Sequence, residues 1–246
     1  MLRRTFLEKS IISLGALLVP YSVISDEKIT AGNLYINSDS ESIPQIELED
    51  LMNKVITHFR NIGVEFKKTK LTRKFPWLEN LDLGVFIYDS RYQMNRHDNE
   101  KSDGVANANT DLIREEFYIP YENATIKNNC CFVFPNVTKY SSGEENLISK
   151  VASVCSHEIG HQFTARHIYD NSQKRTRKAR DFIMCPKGYG QEFHPQNATI
   201  IREFINLAKN KDYDPNFIME MRLKSLNNIY LEELVSKDRK GVIVNF

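Results

Sequence analysis

Apolar positions along the chain recur at two spacings, and together they lay out a sequence of helices and strands. Residues 46–63, IELEDLMNKVITHFRNIG, place Leu48, Leu51, Met52, Val55, Ile56 and Phe59 at helical intervals, and Gly63 closes the helix. His58 is expected on that helix's surface. Residues 28–37 (KITAGNLYIN) suit a first strand. The stretches LDLGVFIYDS at 81–90 and CCFVFPNV at 130–137 carry the apolar, aromatic and β-branched content of buried strands. GVANANT at 104–110 is a poorer strand, because glycine and asparagine disfavour the pleat. A long helix is predicted from Glu144 to about Phe163, with Ser141 or Ser142 as cap and Glu144 and Glu145 in its first turn. Ile148, Val151, Ala152 and Cys155 give it an inward side. After Asp214, FIMEMRLKSLNNIYLEELVSK reads as a closing amphipathic helix whose methionines pack rather than react.

The N-terminus has a different pattern. MLRRTFLEKSIISLGALLVPYSVIS sets Arg3 and Arg4 before an apolar run from Ile11 to Val19, too short to span a bilayer but suited to an export leader. The RRTFL stretch resembles a bacterial twin-arginine signal, with cleavage expected after Ser25 or Ser22. Residues 1–25 are therefore read as leader and 26–246 as a single domain, large enough for a core of its own. The implied location is periplasmic or secreted, with no stable membrane association once the leader is removed. Three Asn-x-Ser/Thr sequons, at Asn123, Asn136 and Asn197, are coincidental beside such a leader.

Charge excludes some partners. With 33 basic and 32 acidic side chains, nucleic acid and anionic membrane are poor matches. The densest basic stretch, KRTRKAR at 174–180, reads as a solvated loop or as a preference for acidic substrate residues. Four cysteines, Cys130, Cys131, Cys155 and Cys185, leave two readings open: disulfides joining Cys130 and Cys131 to Cys155 and Cys185, or four small core residues. No oligomer is implied, so a monomer is expected.

Candidate chemistry is concentrated in HEIGHQFTARH at 157–167. Successive helical residues turn by about 100°, so His157 and His161 share one face and can offer two imidazole nitrogens to a single ion. Glu158, beside that pair, is placed to take a proton rather than to ligate. A continuous helix would rotate His167 by roughly 240° past His161. The helix must therefore stop near Phe163 if His167 is to complete a three-histidine set for one catalytic Zn2+.

This run resembles the extended zinc motif of the metzincin metallopeptidases, which is followed downstream by a methionine turn. Met184, in DFIMCP at 181–186, resembles that turn, and FHPQNATIIREFINLAKN resembles the helix after it in adamalysin-like enzymes. The resemblance implies a twisted mixed sheet with an antiparallel edge strand, an active-site helix, and a small lower subdomain of mostly irregular and helical chain. Upper and lower parts would divide near residue 165. GVANANT corresponds to the edge strand, which pairs with an extended substrate. Two departures stand out. Pro186 occupies the position where astacins and serralysins carry a tyrosine, so no ligand or transition-state donor is expected there. Thr164 replaces the glycine of the turn, and a β-branched residue suits positive φ poorly. Thr164 is thus expected to turn by another backbone route, or the helix to end differently; Asp170 is the nearest substitute third ligand.

The expected function is an exported zinc endopeptidase acting on protein or peptide substrates, with metal ligands His157, His161 and His167 and general base Glu158. Two alternatives remain: a zinc hydrolase whose third ligand is Glu192, and a non-catalytic zinc-stabilised binding protein.

Overall fold

The computed structural model describes residues 27–72, 78, 81–89, 104–106, 117–119, 124–126, 130–143, 145–170, 178–186, 188–210 and 229–231. The leader at 1–25, the basic residues before Lys178 and Asn123 lie outside them.

The single strand expected at 28–37 is two, β1 (Ile29–Ala31) and β2 (Leu34–Asp39). Gly32 makes the break possible, since a Cβ there would lie 2.3 Å from the Leu81 backbone. The Asn33 amide then donates to Asp82 Oδ1 at 2.7 Å. After a 3-10 turn, α1 (Leu48–Arg60) covers the predicted helix, and Gly63 follows at φ 73°. β3 (Val64–Phe66) returns parallel to β1, and β4 (Thr69–Leu71) runs parallel to β2.

The main sheet adds β5 (Leu83–Tyr88), β6 (Gly104–Ala106) and β9 (Cys130–Val133), in the order β4-β2-β5-β9-β6. Its first four strands are parallel, and β6 is antiparallel to β9 at the edge. This is the mixed α/β sheet with an antiparallel edge strand that was expected, although residues 107–110 fall outside the described chain. In a separate two-stranded sheet β7 (Phe117–Ile119) pairs antiparallel with β8 (Ala124–Ile126). Because both faces of β5 and β9 are covered, both strands are apolar throughout. Val85, Ile87, Cys131 and Val133 face the helices. On the other face Phe86, Tyr88, Cys130, Phe132 and Phe134 form a second cluster, with Phe86 and Phe132 stacked at 5.2 Å.

The structure departs from the sequence pattern at further places, and decides one point that the sequence left open. Pro135 does not continue the strand; it opens α2 (Pro135–Ser142), since a first-turn proline lacks an amide that the helix would leave unbonded anyway. Ser141 and Ser142 accordingly sit in α2 instead of capping the next helix, α3 (Leu147–Gln162). Gly143 and Asn146, both at positive φ, make the corner, so Glu145 precedes α3 rather than joining its first turn. None of the four cysteines forms a disulfide and all are buried, which settles them as core residues, and burial pushes the thiols of Cys130, Cys131 and Cys155 well up. His58 is no surface residue: α1 packs on α3, leaving it 5% exposed, with Nδ1 2.8 Å from Ser156 Oγ and Nε2 3.2 Å from Gln191 Oε1.

Past α3 come β10 (Ile168–Asp170) and α4 (Pro195–Asn210). β11 (Ile229–Leu231) pairs parallel with β10, so this part of the expected closing helix is a strand. Among the described residues, no helix is long and apolar enough to cross a membrane. From α4, Arg202 donates to the carbonyls of Ile62 (3.0 Å) and Glu27 (2.8 Å), fastening the early chain to the late helix.

His194 precedes α4, accepts the Gln196 amide on Nδ1 at 3.3 Å and meets Phe182 edge-on at 4.9 Å. Its burial lowers its pKa from 6.5 to about 4. Between those values the unfolded chain binds a proton that the folded chain refuses, so this group destabilises the fold as pH falls from 6.5 towards 4. Urea midpoints are expected to drop over that range. His194→Asn, which keeps a capping acceptor, should flatten the drop; an unchanged slope would remove His194 from the account.

Candidate metal centre

The site is built on α3. Val151, Ala152, Cys155 and Ile159 bury one side of this helix, and two side chains lock it laterally. Ser153 Oγ donates to the Gly190 carbonyl at 2.7 Å, and Gln162 Nε2 donates to the Cys130 carbonyl at 3.0 Å. His157 and His161 then project from the last turns, their Nε2 atoms 3.1 Å apart.

Helix α3 ends in a Schellman motif. Thr164 N–H bonds the His161 carbonyl at 3.0 Å, and Ala165 N–H reaches back to the Gly160 carbonyl at 2.9 Å. The pivot is Thr164 itself at φ 65°, so the expected alternative route is not taken: a β-branched residue occupies the left-handed position that favours glycine. Its hydroxyl Oγ1 is buried with no hydrogen-bond partner. The turn reverses the chain and brings His167 Nε2 to 2.9 Å from that of His161 and 3.2 Å from that of His157.

Each helical histidine is oriented from behind. His157 Nδ1 lies 2.7 Å from the Ile183 carbonyl, and His161 Nδ1 lies 3.1 Å from the Ala165 carbonyl. A carbonyl only accepts, so Nδ1 carries the proton in both rings and Nε2 carries a lone pair. Burial lowers the pKa of His157 and of His167 to about 4, and that of His161 well below 6.5, so the rings are neutral at ordinary pH. Two lone pairs 3.1 Å apart cannot bond each other. A cation between them resolves the conflict. Tetrahedral ligands on zinc, with bonds of about 2.0–2.1 Å, stand roughly 3.3 Å apart, close to the spacing found. Among the described residues these three form the group of metal-ligating type, with all donor atoms within 4.8 Å of one another. The donor set fits zinc.

Glu158 is 7% exposed, and its charge adds to burial in keeping Cys131 and Cys155 protonated. Glu192 is exposed; its carbonyl accepts the Ile183 amide at 2.8 Å, and the structure does not bring it to the histidines. Asp170 lies in β10, registered with Leu231.

Met184 is fully buried in the turn closed by Cys185 N–H on the Phe182 carbonyl at 3.1 Å. That turn lies against α3 at Gly160, where a Cβ would come within 2.7 Å of Met184 Sδ. The sequence pattern assigned Gly160 no role; a glycine inside a predicted helix was the available signal. It also passed over Asn197. Read as a chance sequon, Asn197 is a buried side chain bonded to both backbone groups of Arg166.

No protein-family model and no curated protein matches the chain. Among solved structures, archaemetzincin from Methanopyrus kandleri is similar over 74% of this chain and 97% of its own, at 12% identity and a TM-score of 0.44. Metalloproteinase-II from Bacteroides fragilis is similar over 74% of this chain and 55% of its own, at 12% identity and a TM-score of 0.38. Both likenesses are distant, and what the site does follows from its own atoms.

Two substitutions test the local packing. Thr164→Gly removes the strain of positive φ and the unbonded hydroxyl, and is expected to stabilise the fold by about 1 kcal/mol after glycine's entropic cost. Gly160→Ala should destabilise it by about 1–3 kcal/mol by pressing on Met184. Urea unfolding measures both, and the opposite sign in either would show the contact to be misread.

Proposed function

We propose that the protein is an exported zinc-dependent endopeptidase of metzincin type. The observation that carries this reading is the convergence of three neutral imidazoles on one point, two of them held by backbone carbonyls so that their lone pairs face inward. A site of three histidines, the set found among the described residues, would leave zinc a position for water, as in catalytic rather than closed structural sites. His157, His161 and His167 would hold the ion. When bound, zinc supplies a Lewis acid that lowers the pKa of a water and polarises a carbonyl oxygen.

The remaining work falls to the chain. Glu158, next to the first ligand on α3, takes the proton of the water that attacks the scissile carbonyl carbon. As the C–N bond breaks, Glu158 passes that proton to the departing amine, so the carboxylate is restored for the next turnover. Low solvent exposure around Glu158 keeps the proton from exchanging with bulk water. Substrate is a protein or peptide in extended form: β6 is the terminal strand of the described sheet, and an extended chain can add to such an edge by main-chain pairing. Met184 serves as an apolar floor. Export rests on the paired arginines and apolar run of residues 1–25, which fit a leader removed from the working enzyme.

Glu158→Ala is the decisive variant. Zinc content should stay at one ion per chain while cleavage of a peptide library falls roughly a hundred- to ten-thousand-fold. Chelation should abolish cleavage in the wild type, and zinc should restore it. Undiminished hydrolysis by the variant would overturn the role of Glu158. Full zinc occupancy with no peptide cleaved would instead identify a non-catalytic zinc-stabilised protein.

A further inference from the structure

Of the three histidines, His157 and His161 receive their positions from the helix that carries them. His167 does not. It hangs from a path through Thr164, Ala165 and Arg166 that begins at an unfavourable backbone angle, and such strain persists only where the surroundings over-determine the chain. On its C-terminal side the constraint is backbone to backbone: Ile229 N–H bonds the His167 carbonyl at 2.8 Å, and Ile168 N–H bonds the Met184 carbonyl at 3.0 Å.

On the N-terminal side the constraint is a side chain. The Arg166 amide donates to Asn197 Oδ1 at 2.8 Å, and Asn197 Nδ2 donates to the Arg166 carbonyl at 2.9 Å. Asn197 is 0% exposed and stands in the first turn of α4. Its carboxamide mimics a peptide group, offering one donor edge and one acceptor edge to the peptides on either side of Arg166 Cα. The Arg166 carbonyl belongs to the very peptide whose nitrogen is that of His167. A leucine of similar shape would remove the bonds to both part-buried Arg166 groups, and an aspartate would keep only the acceptor.

We propose that Asn197 is the positioning residue of the third histidine, holding the Arg166 segment so that His167 completes the metal site. This rests on the zinc-binding reading above and extends it to a residue that never touches the metal. Residues that orient metal ligands from outside the coordination sphere typically control affinity by ten- to a hundred-fold. Asn197 does so through the main chain rather than through a ring nitrogen.

The test uses the full chain in five forms: wild type, Asn197→Leu, Asn197→Asp, His167→Ala and the double variant Asn197→Leu with His167→Ala. Zinc affinity is read by competition with a chromophoric chelator, the coordination sphere by Co2+ absorption, and metal-free stability by urea unfolding. Asn197→Leu is expected to weaken zinc roughly 10- to 100-fold and to move the Co2+ bands towards those of His167→Ala. Asn197→Asp should fall between it and the wild type, and carries the test if the leucine variant does not fold. In the His167→Ala background Asn197→Leu should cost no further affinity, because its effect runs through the absent ring. Unchanged affinity and Co2+ spectrum, whatever the loss of stability, overturns the proposal, as do losses that add in the double variant. A wild type that binds neither Zn2+ nor Co2+ overturns the functional reading, and this one with it.

Discussion

Everything in this site follows from one geometric conflict. A helix delivers two imidazoles to a point and carries the next residues away from it, so a third donor six positions on can arrive only if the helix is stopped and reversed. The reversal happens at Thr164, where two backbone bonds to His161 and Gly160 close a Schellman motif around a residue ill suited to it. The remaining anchors near His167 serve to hold that reversal in place. They come from far along the chain: the Met184 carbonyl, the Asn197 carboxamide and the Ile229 amide.

The turn at Phe182–Cys185 shows how tightly these demands are shared. Its Ile183 carbonyl orients His157, its Ile183 amide is bound by the Glu192 carbonyl, and its Met184 carbonyl takes the amide that follows His167. The Met184 side chain meanwhile occupies the space that Gly160 leaves open on α3. Four residues thus fix both the height of the helix above the floor and the angle of the His157 ring. In this turn backbone groups orient and a side chain fills, while the nearby Thr164 hydroxyl stays buried without a bond.

Features governed by local repetition were legible in the sequence. The α1 helix, the buried strands β5 and β9 and the pairing of His157 with His161 all follow from period-3.6 or apolar patterns, whereas the antiparallel edge β6 was implied by the metzincin resemblance alone. His58 was misjudged for a traceable reason: it lies seven residues after Leu51 and three after Val55, squarely on the apolar stripe, yet a polar label outweighed its position. Other features had no local signal. That Pro135 starts a helix, that Ile229–Leu231 is a strand, and that Asn197 clasps Arg166 depend on partners distant in sequence. The cysteine pairing was undetermined because spacing carries no information about which thiols meet. Only the packed core decides that none of the four forms a disulfide.

The bond between the Ile229 amide and the His167 carbonyl has a meaning in time as well as in space. A chain emerging from the ribosome at about 5–20 residues per second presents His157, His161 and His167 within a second or two of one another. The strand that backs the third of them arrives several seconds later. During that interval the third donor has the Thr164 turn, the Met184 carbonyl and Asn197 to hold it but lacks the bond from Ile229. The backbone around His167 is thereby completed only once β11 has paired with β10, so the last support of the three-histidine cluster is also the last to be synthesised.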